Sequence, residues 1–354
     1  MTDVTVPRLD APGSPASTAR LLAGAAGRID APDVVLAISR GGARTVHTGG
    51  GAEPGPIPRE RLRYELGSAS KPFAGLLLAR LVAQGRVRYE DRAADLLAPG
   101  LPVHPSVRRI TLRHLLTHTS GLPGLPADFY PQAVPRWSSD PYGNYPADRV
   151  VRAFLRARPR HRPGTRWHYS NFAVSVLGHT LAAATGTPWE VLLTQQVLAP
   201  LGLEATLLRP GPDGTDATGH RRDGTPLPAL DTGGFTAAGA LRSTPLDLLT
   251  FLEAHTGAAP GSPTDPALGA ALAEVVRPVL RRGLRHAHTH TLTWFQHPSP
   301  YGPVLFHAGA TLGQQAFLGF RPDTGLAVAA TATRRVHRKD TFVATAYELL
   351  TETP

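Results

Sequence analysis

Between Leu66 and Gly85 the chain carries Phe73, Leu76, Leu77, Leu78, Leu81 and Val82 with almost no polar residue among them. At 3.6 residues per turn these positions run around the whole circumference, so a helix here has no face to offer water and the fold must enclose it. Pro72 in the first turn and Gly85 just past the last apolar residue mark its ends. The polar residues stand at its head, where Ser68 and Lys71 are three apart and share one face. A hydroxyl is a weak nucleophile until a base takes its proton, and a lysine desolvated at a helix start can do so once its pKa is depressed. The positive end of the helix dipole would face any anion forming there.

Ser and Lys at this spacing also occur at ordinary helix starts, as a cap and a solvated tail. Composition argues for more. Of 37 basic side chains only Lys71 and Lys339 are lysines, arginine having replaced lysine everywhere else. Arginine, with a pKa above about 12, cannot serve as a base. A lysine kept at this position points to its amine.

The total of 354 residues accommodates one large domain or two smaller ones. The net charge of +10 comes from arginines scattered along the chain, with no dense basic run interleaved with aromatics, so no nucleic-acid partner is expected. The absence of cysteine excludes disulfides, thiolate metal sites and cysteine nucleophiles. The first residues, MTDVTVPRLDAPGSPAS, lack a basic segment followed by an apolar one, and no stretch approaches the ~18 apolar residues of a membrane span. A cytoplasmic protein with no membrane partner is the expectation.

After a Pro/Gly/Ser-rich tail over 1–16, residues 17–29 read as an amphipathic helix. Strands over 33–40 and 43–47 are joined by Gly41-Gly42, and a short third strand over 61–66 delivers the chain to Ser68. Residues 110–122 predict a short helix stopped by Gly121 and Pro123. His114 and His118 within it are four apart but lack a third ligand at zinc-site spacing, so a structural role is expected and no metal. Residues 122–146 hold Phe129, Tyr130, Trp137, Tyr142 and Tyr145 among prolines, a wall over a site. Helices follow over 147–158, 172–185 and 189–198. Asn171 either caps the second of these or projects with Tyr169 into a cleft, and both can hold together. Residues 209–233 read as surface loop or short strands. Thr244 caps a helix running to His255, and another helix covers 267–276. From His288 the period changes to two, predicting four antiparallel strands over 289–295, 304–307, 314–320 and 326–333. His286, His288 and His290 then share one exposed strand face. A helix over 341–353 closes the chain.

Three stretches, Ser68-Ala69-Ser70-Lys71, Tyr169-Ser170-Asn171 and His307-Ala308-Gly309, together resemble the serine β-lactamase and penicillin-recognising family. The likeness is to its class C-like branch of esterases, D-amino-acid peptidases and transacylases. Residues 110–123 (ITLRHLLTHTSGLP), 239–244 (GALRST) and 318–328 (LGFRPDTGLAV) extend it over about residues 30–350. It implies an α/β fold of the β-lactamase/transpeptidase type, an antiparallel sheet flanked by helices with a mostly helical inserted region. The α/β domain would comprise 1–84 and 226–354, and the insertion 85–225.

The resemblance also implies that Ser68 is acylated, that Lys71 and Tyr169 share the proton transfers, and that Asn171 holds Lys71 and a substrate amide. The N–H groups of Ser68 and Ala310 would form the oxyanion hole, with Ala308 and Gly309 leaving room for substrate along the strand. Many members carry Lys where this chain has His307, which supplies a charge only when protonated. A serine hydrolase acting on a small ester, amide or peptide-like molecule without any cofactor is expected. An intracellular esterase or amidase comes first, then a transacylase passing the acyl group to an amine or alcohol, a D-amino-acid peptidase or β-lactamase, and a non-catalytic binding protein on the same scaffold.

Overall fold

A computed structural model describes residues 14–212, 214–258, 265–283 and 288–353. Most of the expected tail, residues 1–13, lies outside them, as does His286. In chain order the elements are α1 (Pro15–Ala26), β1 (Val34–Arg40), β2 (Ala43–Gly49), β3 (Tyr64–Glu65), the 3-10 turn Gly67–Ser70 and α2 (Lys71–Ala83). There follow α3 (Ala93–Leu97), α4 (Pro105–Arg108), α5 (Leu112–Leu116), α6 (Tyr130–Ala133), α7 (Ala147–Leu155), α8 (Asn171–Thr185) and α9 (Trp189–Leu193). The chain continues through β4 (Gly219–His220), β5 (Pro226–Leu227), α10 (Thr236–Gly239), β6 (Arg242–Ser243), α11 (Pro245–Thr256) and α12 (Pro266–Val275). It ends with β7 (Leu280–Arg282), β8 (His288–His290), β9 (Phe295–His297), β10 (Val304–Ala310), β11 (Gln315–Arg321), β12 (Leu326–Ala332) and α13 (Phe342–Glu352).

The main sheet has eight strands in the order β2-β1-β12-β11-β10-β9-β8-β7. Every pair is antiparallel, and β1 from the start of the chain lies beside β12 from its end, with Leu36 opposite Ala330. Alternation sorts the side chains: Val34, Leu36, Ile38, Val328 and Ala330 pack under α1 and α13, while Ala37, Ala327 and Ala329 face the other core. With helices on both faces, β11 and β12 are buried throughout, which is why their residues are apolar apart from Gln315, Arg321 and Thr331.

α2 sits at the centre of the second core as its composition requires, buried at every position from Lys71 to Leu81. Phe73 stacks on Phe251 of α11, ring centroids 3.8 Å apart. Full enclosure of Leu76, Leu77, Leu78 and Leu81 stabilises the fold by about 1.5–3 kcal/mol each. Among the described residues no helix is long and apolar enough to cross a membrane.

Four local readings change. The strand expected over 289–295 is two, β8 and β9, joined by a tight turn in which the Thr291 N–H donates to the Trp294 carbonyl at 3.0 Å. The alternating pattern simply continues across a turn that has neither Gly nor Pro. The third strand contracts to Tyr64–Glu65 and pairs with β6 outside the main sheet. The helix expected over 110–122 ends at Leu116: Thr111 and His114 close a capping box at its start, and His118 adopts a left-handed φ of 59° beyond it. His114 and His118 therefore do not share a helix face. His290 is buried rather than exposed, covered by Trp167 at 5.4 Å between centroids and accepting from Arg282 Nε at 2.7 Å.

Candidate active site

The site exists because β10 passes the head of α2 at a distance only glycine permits. A Cβ on Gly309 would lie 2.0 Å from the Leu66 carbonyl oxygen, 2.4 Å from Ala69 N and 2.8 Å from Ser68 N. Gly67, at φ +49°, faces Ala310 in the same way. The Thr311 N–H pairs with the Gln314 carbonyl at 2.9 Å, so by the alternation of an antiparallel ladder the Ala310 amide points to the opposite edge. β9 covers that edge only along Val304–Phe306, leaving it open beside Ser68. Ser68 N lies in a first helical turn, whose N–H groups have no intrahelical acceptor.

Within this cleft the Lys71 Nζ donates to Ser68 Oγ at 3.0 Å and to the Ala238 carbonyl at 2.9 Å. The amine is 1% exposed, and burial lowers its pKa to about 7. It also lies 4.9 Å from the centroid of the Tyr169 ring. Burial raises the Tyr169 phenol to about 12, against the opposing effect of its hydrogen bond with Ser68. One hydroxyl thus stands between an amine half-deprotonated near neutrality and a phenol that keeps its proton. Such a group can lose a proton to one neighbour while the other remains a donor.

Tyr169 is aimed by its surroundings. Ser170, not Asn171, caps α8: its Oγ accepts the Ala173 N–H at 2.9 Å and donates to the Pro123 carbonyl at 2.6 Å. Both residue types suit a cap. The nearby Pro123 carbonyl, absent from any local pattern, favours serine. Asn171 is the first residue of the helix. Its side chain hydrogen-bonds the Tyr142 phenol, and its Oδ1 is buried without a partner. Lys71 is held by the Ala238 carbonyl and not by Asn171.

His118 is the contributor the sequence did not single out for this site. Its Nδ1 accepts the Ser170 N–H at 3.1 Å, its carbonyl accepts the His168 N–H at 2.8 Å, and its ring packs on Tyr169. The only available signal was its place before Thr119-Ser120-Gly121.

The cleft, about 350 Å³ of open space, is walled by Tyr142, Asn171, Leu230, Phe235, Ala238 and Ala310. Of the aromatic segment 122–146, Tyr142 reaches it. Phe129 and Tyr145 pack behind with Phe235, and Tyr130 stacks with Trp137 at the surface. His307 in β10 is 2% exposed, and its Nδ1 donates to the Ala308 carbonyl at 2.8 Å. Burial, assisted by the nearby Lys71, lowers its pKa to about 3, so the ring is neutral. Ala308 is half-buried and Ala310 exposed, keeping this edge low. Among the described residues no three His, Asp or Glu side chains group as metal ligands.

Known proteins share this framework. The chain is 27% identical over 237 residues to the D-alanyl-D-alanine-carboxypeptidase/endopeptidase AmpH of Escherichia coli (strain K12), covering 64% of this chain and 57% of that protein. It is 32% identical over 156 residues to the esterase EstB of Burkholderia gladioli, covering 43% and 40%. The chain thus spans little more than half the length of AmpH and less of EstB. A class C beta-lactamase from Rhodobacter sphaeroides superposes with a TM-score of 0.77 at 23% identity, covering 94% of this chain and 98% of the other, which establishes the common fold. The Beta-lactamase family profile matches residues 18–352, nearly the whole sequence, and the chain belongs to that family.

Proposed function

We propose that this protein is a serine hydrolase that forms an acyl-Ser68 intermediate on a small ester or amide. The observation that carries this reading is the 3.0 Å hydrogen bond between Lys71 Nζ and Ser68 Oγ, made by an amine whose pKa burial brings to about 7. At pH 7 roughly half of such amines are free bases. A phenol at about 12 is ionised in only about one molecule in 10⁵, so Lys71 is the better acceptor of the Ser68 proton.

Ser68 Oγ attacks the carbonyl carbon as its proton passes to Lys71. The N–H groups of Ser68 and Ala310 hold the developing oxyanion, each donor worth roughly 3 kcal/mol in comparable sites. Tyr169 gives its proton to the leaving oxygen or nitrogen as that bond breaks, and Lys71 passes the proton taken from Ser68 to the Tyr169 phenolate, which restores both groups. Water then repeats the sequence on the acyl-enzyme, with the same groups reversed. Asn171, buried beside Tyr142 with a free Oδ1, accepts from a substrate N–H where one is present.

The neutral His307 favours substrates without a carboxylate at this edge, so esters and uncharged amides rank ahead of β-lactams and D-amino-acid peptides. AmpH, whose name denotes a carboxypeptidase, supports the peptide reading as the rival. Intact-mass measurement after incubation with p-nitrophenyl butyrate should reveal a butyryl adduct, absent in Ser68→Ala. Faster turnover of a chromogenic cephalosporin than of the ester would reverse the ranking, and no adduct with any of these would remove the enzyme reading. Added amine or alcohol that diverts the acyl group from water would identify a transacylase.

A further inference from the structure

The sequence from Arg149 to Arg160 places arginine at 149, 152, 156, 158 and 160. The first three are spaced by three and four, the period of one helix face, and the last three by two, the period of one side of an extended chain. The backbone changes in step, since α7 ends at Leu155 with Arg156 at its C-cap. All five arginines consequently line a single groove between α7 and the segment around Pro123–Asp128.

Their partners are few. Arg149 bonds Asp128, Nε to Oδ2 at 3.0 Å, and Arg152 bonds Asp148 on its own helix. Asp128 is the one acidic residue among those lining the groove. Arg156, Arg158 and Arg160 are exposed and make no side-chain hydrogen bond or ion pair among the described residues. The groove is open, about 1320 Å³, with Pro126, Ala153, Ala157 and the buried Phe172 supplying apolar lining. Helix-dipole stabilisation accounts for one cation at the C-terminus of α7. It does not account for the two that follow in extended chain and turn to the same side.

We propose that this groove is a binding site for a small multivalent oxyanion, a molecule bearing several phosphate or carboxylate groups. Guanidinium groups pair with both bidentately, and three unpaired ones about a concavity focus a positive potential that such an anion relieves. A nucleic acid is a poorer fit, because the only aromatic side chain lining the groove, Phe172, is 1% exposed and offers no face for base stacking. The groove shares no lining residue with the Ser68 cleft, and the inference does not rest on the acyl-enzyme reading.

The test is calorimetric titration of the full chain with sodium tripolyphosphate and, separately, citrate at 150 mM salt. The triple variant Arg156→Ala, Arg158→Ala, Arg160→Ala should lose at least ~100-fold in affinity for whichever anion binds, and the corresponding lysine triple about tenfold, since lysine keeps the charge but not the fork. A control triple removing three exposed arginines elsewhere, Arg86→Ala, Arg109→Ala and Arg338→Ala, should change affinity less than ~threefold. Binding of tripolyphosphate alone identifies phosphate chemistry, and of citrate alone carboxylate chemistry. The proposal is overturned if neither binds, or if both alanine triples weaken binding equally, which would mean general basicity. Tighter binding of a single-stranded 20-mer through the same three arginines would overturn it in favour of nucleic acid.

Discussion

The imidazole of His118 lies against the phenol ring of Tyr169 with centroids 4.5 Å apart and planes inclined by 35°. His118 is also the one described non-glycine residue with a left-handed backbone, at φ 59°. Such a conformation costs of order 1 kcal/mol and persists where the surroundings over-determine it. Here they do, because the ring nitrogen and the backbone carbonyl grip Ser170 and His168 on either side of the phenol.

Removing this grip should affect chemistry more than binding. His118→Ala is expected to lower kcat on an activated ester by roughly 10–100-fold with KM within about threefold, because a displaced Tyr169 misplaces a proton donor. His118→Asn should recover part of the loss: asparagine tolerates the left-handed region, and its Oδ1 can accept the Ser170 N–H. An unchanged kcat in the alanine variant would reduce His118 to a packing residue.

The lysine sets the pH profile. With the Lys71 pKa lowered to about 7, the free amine is the minor form below that pH and dominates above it. Stopped-flow acylation should therefore rise from pH 6 to 8 with an apparent pKa near 7, a single limb carried by Lys71. Lys71→Arg should abolish acylation across the range while the thermal midpoint shows a folded protein, since a guanidinium above about 12 does not release its proton. Retained activity in that variant would remove the amine from the mechanism.

Much of this was legible in the sequence where local signals are strong. The buried character of α2, the Gly41-Gly42 hairpin and the Thr244 cap each follow from a few consecutive residues, and the resemblance supplied the order of the three motifs. The geometry that misled is set by distant partners. Ser170 takes the cap because its hydroxyl also reaches Pro123, 47 residues away. Lys71 meets the Ala238 carbonyl rather than an asparagine side chain, and backbone acceptors leave no mark in a sequence. The neutrality of His307 was open in the sequence, since burial beside Lys71 is a property of the assembled core.

That neutrality can be read out directly. A histidine at its ordinary pKa of about 6.5 would be almost fully charged at pH 5 and would tighten the binding of a carboxylate-bearing substrate as pH falls. Held at about 3, His307 is charged in only about one molecule in a hundred at pH 5. KM for a substrate carrying a carboxylate should thus show no improvement between pH 7 and pH 5 in wild type, and His307→Gln should give the same flat dependence. A severalfold fall in KM on acidification, lost in His307→Gln, would show a charged ring in the site and restore peptides and β-lactams to the head of the ranking.

Glycine at 309 is where architecture and chemistry coincide. A methyl group there would press on Leu66, Ser68 and Ala69 backbone atoms at 2.0 to 2.8 Å, and backbone cannot rotate away as a flexible side chain can. Gly309→Ala should force β10 from the head of α2, costing roughly 3 kcal/mol of stability by thermal denaturation. It should lower acylation by at least ~10³-fold at temperatures where the variant stays folded, because both amide donors move off the carbonyl oxygen. Gly269→Ala supplies the contrast: its Cβ would meet nothing within 4 Å on helix α12, so stability should rise by about 0.5–1 kcal/mol with activity unchanged. If Gly309→Ala lost stability yet acylated at the wild-type rate, the close approach of strand and helix would be a packing requirement alone, and the amides of Ser68 and Ala310 would not be the groups that hold the oxyanion.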